Sequence, residues 1–296
     1  MKVRLFLKKY GEDYLFAAPF FILFFIFTII PVIASAAISL TNFNLIEIPA
    51  FVGFSNYFNL LLDDSLFLTA LKNTFFLSVV TGPLGYLLSL ALAWLINELG
   101  NRMRAFITLL FYAPVIGGGA YMIWQIIYSG DNYGYLNGLL MEFGVINTPI
   151  QWLTDTKYMM PASIVAILWL SFGTGFLSLI AGFKNVDKAL YEAGAVDGIK
   201  NRYQELWYIT LPSMKPQLMF SAVMSITGSF GMGDVISAIF GFPSTNYALH
   251  TLAHHMQDYG NVRFEMGYAS TVAVVLFVIM VTVNTIVQRA LKKVGA

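Results

Sequence analysis

The sequence predicts an all-α integral membrane protein that crosses the bilayer six times, and three observations carry that expectation. Only 11% of the 296 residues are charged and 58% are hydrophobic, against about a quarter charged in a soluble domain. Uncharged intervals recur at lengths that suit a bilayer, which a helix crosses with roughly 20 apolar residues. The basic residues fall in alternate intervals between them. Cysteine is absent, which excludes disulfides and thiolate metal sites. The first apolar run, about 25 residues, is too long for the core of a signal peptide. No repeat of 20–50 residues stands out.

The expected spans are 15–40, 70–96, 105–128, 160–182, 217–240 and 267–289. The first is dense in phenylalanine (FFILFFIFTII), ordinary filling for a lipid-facing or bundle-core helix. Residues 41–67 alternate Asn, Gly and Pro turns with Phe and Leu, so they are expected to lie along the membrane surface as short pieces. The second span holds Gly82–Pro83, which predicts a kink or local break. The turn NELGNRMR at 97–104 is tight and makes spans two and three an antiparallel pair. Gly117–Gly119 weakens the third helix and lets a neighbour approach.

The loop 129–159 is polar and rich in turns. Its Trp152, Tyr133 and Tyr135 either anchor at headgroup level or pack the loop against itself. In the fourth span, Gly173 and Gly175 imply close approach of a second helix. The fifth span is the weakest, interrupted by Asp234 and several small residues, while the sixth is uncharged from Met266 to Gln288.

Six spans put both termini on one side of the membrane. Lys2, Arg4, Lys8 and Lys9, then Arg102 and Arg104, then Lys184, Lys188, Lys200, Arg202 and Lys215, then Arg289, Lys292 and Lys293 all fall on that side. The opposite segments hold only Lys72, Lys157 and Arg263, against Glu47, Asp63, Asp64, Asp131, Glu142, Asp155, Asp258 and Glu265. The bias places both termini in the cytoplasm. Residues 1–14 are then a cytoplasmic N-terminal segment, and 15–296 form one transmembrane domain with a cytoplasmic segment at 184–216.

That segment contains YEAGAVDGIKNRYQELWYITLPSMKP, Tyr191 to Pro216. Lys188–Val196 reads as a short amphipathic helix with Leu190, Ala193 and Val196 on one face. Asp187 caps its start, and Gly198 ends it in a left-handed conformation. Asn201 caps a second short helix running through Trp207 and Ile209. Pro212 is expected to end that element before the chain re-enters lipid near Pro216. An apolar face there either docks a partner or rests on the inner ends of the bundle.

The pattern resembles the EAA motif of permease subunits of bacterial binding-protein-dependent ABC importers. It is carried by Glu192, Ala193, Gly194, Asp197, Gly198, Ile209, Leu211 and Pro212 at the family's spacing, with Gly194 where a second Ala is usual and Leu206 where a Phe is common. Both departures are expected to thin the docking face. The resemblance extends over almost the whole chain, through VGFSNY, LKNTFF, FYAPVI and GYASTVAVVLF, and leans towards the sugar-importer branch.

It implies a six-transmembrane-helix ABC importer permease with a cytoplasmic coupling helix before span five, in a bacterial inner membrane. Docking would fall to Glu192, Ala193, Gly194, Asp197 and Gly198, and force transmission to Leu211 and Pro212. The implied partners are a second permease, two ATPase subunits, an external or periplasmic binding protein, membrane lipid and a carbohydrate, with no nucleic acid. This chain binds no cofactor; ATP and Mg serve the ATPases, consistent with the lack of a GxxxxGK[ST] phosphate loop in the sequence.

Candidate pathway residues follow from polarity and aromaticity. Asp234, after SITGSFGMG with its Ser225 and Ser229, would accompany an unwound or kinked helix beside a pathway, or lie solvated at the outer edge. Trp169, Phe172 and Phe176 either stack on a sugar ring or pack helices. His250, His254 and His255 lack the HExxH arrangement of a zinc hydrolase and are expected to face the translocation mouth or a docked binding protein. The competing functions are a membrane-embedded enzyme acting on lipid or glycan, a homo-oligomeric channel, and a permease for a polyol phosphate.

Overall fold

The computed structural model describes residues 14–294, and of 292–294 only the backbone. The cytoplasmic assignment of residues 1–13, with Lys2, Arg4, Lys8 and Lys9, lies outside the described residues, as do residues 295 and 296. Helices dominate, in the order α1 Tyr14–Ile38, α2 Ser65–Asn97, α3 Asn101–Ile116, α4 Ala120–Ile127, α5 Tyr135–Glu142, α6 Thr156–Trp169 and α7 Thr174–Asn185. There follow α8 Lys188–Val196, α9 (Arg202–Glu205, Leu206–Thr210 and Leu211–Ser213 in succession), α10 Lys215–Phe230, α11 Gly233–Phe240, α12 Leu252–Gln257 and α13 Met266–Val294. Between named helices, Thr41 and Phe51 form an isolated antiparallel bridge.

Among the described residues three helices are long and apolar enough to cross a bilayer unaided: Tyr14–Ile38, Ser65–Asn97 and Met266–Leu291. Three pairs qualify only when taken together, α3 with α4, α6 with α7, and α10 with α11, bent by 89°, 43° and 47°. The protein is thus an all-α multi-pass membrane protein, with six spans if each bent pair counts as one.

Two sequence expectations change here. Of the kink or local break expected at Gly82–Pro83, the break does not occur: α2 runs unbroken through Pro83, although proline removes one helical hydrogen bond. The sharpest turn is instead at Gly117–Gly119, where Gly118 adopts φ +50; a left-handed residue cannot continue a helix, so the expected span 105–128 folds back by 89° rather than merely weakening.

The chain divides into two units. In the first, the described residues up to Asp64 join Met256–Leu276. Asn56 Nδ2 donates to the carbonyls of Ser39 and Thr41, and Thr271 Oγ1 donates to Ser39. Asp64 accepts from the Tyr259 and Tyr268 hydroxyls at 3.1 and 2.9 Å. Residues 41–63 form the expected short pieces, leaving Ile46, Ile48, Phe51 and Leu62 exposed.

The second unit holds Ser65–His255 and the residues from Phe277 on. Its centre is α2, α7 and α10, which approach closely because small residues face one another. A Cβ on Gly82 would lie 3.2 Å from Ser229 Oγ, one on Gly85 2.9 Å from Ser171 Cβ, and one on Gly175 3.0 Å from Ser221 Oγ. Two apolar clusters flank these contacts. One gathers Leu77, Tyr128, Met159, Ala166, Ile236 and Leu249; the other Ala93, Ile96, Phe176, Leu179, Phe183 and Met214.

Candidate functional site

The segment 184–216 is built by local signals that the sequence states openly. Asp187 accepts from the Ala189 N–H at 3.0 Å and starts α8. At its end Gly198 adopts φ +95. The Ile199 N–H then reaches back to the Gly194 carbonyl at 2.9 Å, the six-to-one bond of a Schellman cap. Asn201 accepts from the Gln204 N–H, while the Gln204 side chain accepts from the Lys200 N–H, both at 2.9 Å.

α8 is seated on α9 by one face only. Gly194 is its sole buried residue, and a Cβ there would stand 2.6 Å from Ile209 Cδ1. Thr210 Oγ1 donates to the Glu205 carbonyl, so the 2.9 Å contact with Tyr191 has the tyrosine hydroxyl as donor. The other face is open: Glu192, Ala193, Asp197 and Gly198 are exposed, with Leu190 45% and Val196 88% exposed.

This geometry corrects two readings. Gly194 and Leu206 do not thin an outward face. Gly194 lies against Ile209, and Leu206 packs with the cluster around Phe183 and Met214. Both departures therefore adjust the seat of α8 and α9 on the chain itself. Nor does Pro212 itself close the second helix, which runs one residue further, to Ser213. The break falls at Met214 (φ −106, ψ 24), whose buried side chain lies over Gly182. Leu211 is half-buried and Pro212 exposed. Met214 and Ile209 position this segment; the apolar 3.6-residue spacing around Gly182 was the only signal for the first.

The candidate pathway residues come together only in part. Ser225 and Ser229 line a cleft of about 220 Å³ with Thr81, Ser171 and Ser221. Ser225 Oγ also donates to the Gly82 carbonyl and Ser229 Oγ to Ile226. Phe172 is buried edge-on to Phe111 and Phe176, at 5.3 and 5.5 Å between centroids. Trp169 is half-buried, edge-on to Trp124 at 5.8 Å. Phe176 lines the cleft, whereas Trp169 and Phe172 do not. Asp234 is exposed in the first turn of α11, just past the 47° bend, where a carboxylate is favoured by the helix dipole.

The histidines face neither a mouth nor a partner: His250, His254 and His255 are all at most 3% exposed. His254 Nδ1 accepts from the Thr251 N–H at 3.1 Å. The ring stacks on Phe242 at 5.6 Å. His250 Nε2 meets His255 Nδ1 at 3.2 Å. Burial pulls His254 down to about 4. Among the described residues no group of three or more His, Asp or Glu is arranged to hold a metal. In loop 129–159, Trp152 packs inward, Nε1 donating to the fully buried Asn137, while Tyr133 and Tyr135 stay exposed.

Residues 85–294 match the family of binding-protein-dependent transport system inner membrane components. The chain is 32% identical to the "Probable ABC transporter permease protein YesP" of Bacillus subtilis (strain 168), covering 93% of this chain and 89% of that one. It is 29% identical to the "Arabinooligosaccharides transport system permease protein AraP" of the same organism, over 95% and 89%. A chain of a bacterial alginate ABC transporter, solved in complex with an alginate pentasaccharide-bound periplasmic protein, superposes with a TM-score of 0.80 at 20% identity. It covers 100% of this chain and 99% of that one, a likeness of fold.

Proposed function

The chain belongs to the binding-protein-dependent transport system inner membrane component family, and on that premise we propose that it forms half of the translocation pathway of an ATP-driven carbohydrate importer, with an oligosaccharide as its cargo. It is a multi-pass, non-catalytic permease subunit that acts with separate ATPases. In this reading each bent pair is one span, both termini are cytoplasmic, and 15–296 is a single transmembrane domain in the inner membrane. A second permease, two ATPase subunits and an external binding protein complete the assembly.

The observation that carries the reading is the one-sided seating of α8. Its inner face is locked by Gly194 on Ile209 and Tyr191 on Thr210. Leu190, Glu192, Ala193, Val196 and Asp197 are left presented outward. An apolar surface ringed by acids on a rigidly held helix fits a protein cleft. Docking there by Glu192, Ala193, Asp197 and Gly198 transmits force through Leu211 and Pro212 into α10.

The cleft of Thr81, Ser171, Ser221, Ser225 and Ser229 supports a neutral sugar over a polyol phosphate, because its lining holds hydroxyls and no cation. A phosphate calls for charge-assisted donors. The AraP relative, named for arabinooligosaccharides, leans the same way.

The test is crosslinking from Ala193→Cys in the native membrane. Capture of an ATPase polypeptide is the expected result. A chain linked only to a second copy of itself overturns the reading.

A further inference from the structure

We propose that Arg202 and Tyr203 are positioning residues that give the coupling segment a second mechanical output, into the end of α2 and the turn after it. The inference rests on the coupling role of α8 proposed above and adds a route that neither Leu211 nor Pro212 supplies.

The two residues grip one face of α2 side by side. Arg202 Nη2 lies 3.4 Å from Glu98 Oε2, while Nη1 meets Glu205 Oε2 at 2.9 Å. The guanidinium is thus held by its own helix and offered to the end of α2. The Tyr203 ring stands edge-on to Trp94 with centroids 5.4 Å apart. Trp94, in the last turn of α2, and Glu98, the first residue past its end, match the adjacent pair 202–203.

The receiving end is stiff. Arg104 Nη2 donates to the carbonyls of Asn97 and Leu99 at 2.7 and 3.1 Å. It thereby caps the C-terminus of α2 with a cation from the first turn of α3. Displacement of Trp94 and Glu98 therefore reaches both helices. The delivering end is stiff as well, because α8 and α9 are joined through Gly194, Ile209, Tyr191 and Thr210. Between the two ends lies a cleft of about 460 Å³ lined by Trp94, Glu98, Arg104, Tyr191, Arg202 and Leu206. The ion pair and the ring contact thus stand beside open space, while Leu206 packs on the cluster that includes Ala93 and Ile96. An exposed ion pair contributes little stability by itself; paired with the aromatic contact it fixes orientation, the property a strut needs.

Hydrogen exchange on the assembled transporter in proteoliposomes, with and without ATP and magnesium, tests the strut. In the natural chain nucleotide is expected to shift exchange at 188–196, 202–210 and 94–104 together. In Arg202→Glu and in Tyr203→Ala the shift at 94–104 falls several-fold while that at 188–196 persists. The swap Arg202→Glu with Glu98→Arg restores it. Glu98→Gln, which removes the pair without repulsion, moves in the same direction and stands in should a charge reversal fail to assemble. An unchanged response at 94–104 in the variants, or a swap that restores nothing, overturns the strut and leaves the coupling role intact. No nucleotide response at 188–196 in the natural chain overturns the coupling role itself, and the strut with it.

Discussion

Gly194 faces Ile209 so closely that an added Cβ would lie 2.6 Å from the isoleucine Cδ1 and 3.1 Å from that of Ile199. The obstructing atoms are side-chain ends, which can shift at moderate cost. Gly194→Ala is therefore expected to loosen the seat of α8 by about 1 kcal/mol. Ile209→Val removes the offending methyl, so the double variant should recover most of the loss. A double-mutant cycle on thermal stability and on ATPase retention measures this coupling. Additive effects would mean that the two residues do not share a contact.

At Gly198 the cost has a different origin. An added Cβ meets nothing within 4 Å, yet φ is +95, a region L-residues resist. Gly198→Ala should cost about 1 kcal/mol through the backbone alone. Gly198→Asn should cost less, since asparagine tolerates such angles better, and Gly198→Val more. Thermal melting of the three variants in detergent checks the order. A flat series would show that the turn readily adopts another conformation.

Asn137 organises the loop 129–159. Its Nδ2 donates to the carbonyls of Ser129, Asp131 and Ile150, and its Oδ1 accepts from the Ile150 N–H and Trp152 Nε1. Removing one side of a buried network strands several polar groups, so Asn137→Ala should cost about 3 kcal/mol. Asn137→Asp should be no better, because it sets a carboxylate against three carbonyls. Limited proteolysis within 129–152 and the emission of Trp152 report the loosened loop. Unaltered cleavage would argue against the network.

What was legible in the sequence is what local chemistry encodes. Asp187 and Asn201 cap as read, and Gly198 turns left-handed. What escaped depends on which face meets which neighbour. Gly194 read as a docking position, but the choice between inward and outward is made by Ile209, fifteen residues on. The histidines read as outward because they lie externally between spans five and six, yet all three are buried, His254 against Thr251 and Phe242. Asn137 was invisible because nothing in YLNGLL separates a hub from an ordinary helix position. Trp169 and Phe172 read as packing more readily than as sugar contacts, and for Phe172 the Phe111 edge supplies the packing partner.

His254 makes stability depend on acid. It is buried, with its Nδ1 accepting from the Thr251 N–H. Phe242 lies on its face, His250 alongside, and Asp234 is the nearest carboxylate acting on it. Burial holds its pKa at about 4, below the ordinary 6.5. As pH falls, the unfolded chain takes up the proton first, so the stability present above about 6.5 is lost progressively towards about 4, on the order of a few kcal/mol. The neutral ring is the native one, and His254→Asn keeps an acceptor for the Thr251 N–H while removing the titration. Melting temperatures between pH 7 and pH 4 should therefore fall less steeply in the variant than in the natural chain. Parallel curves would show that His254 does not set the acid response.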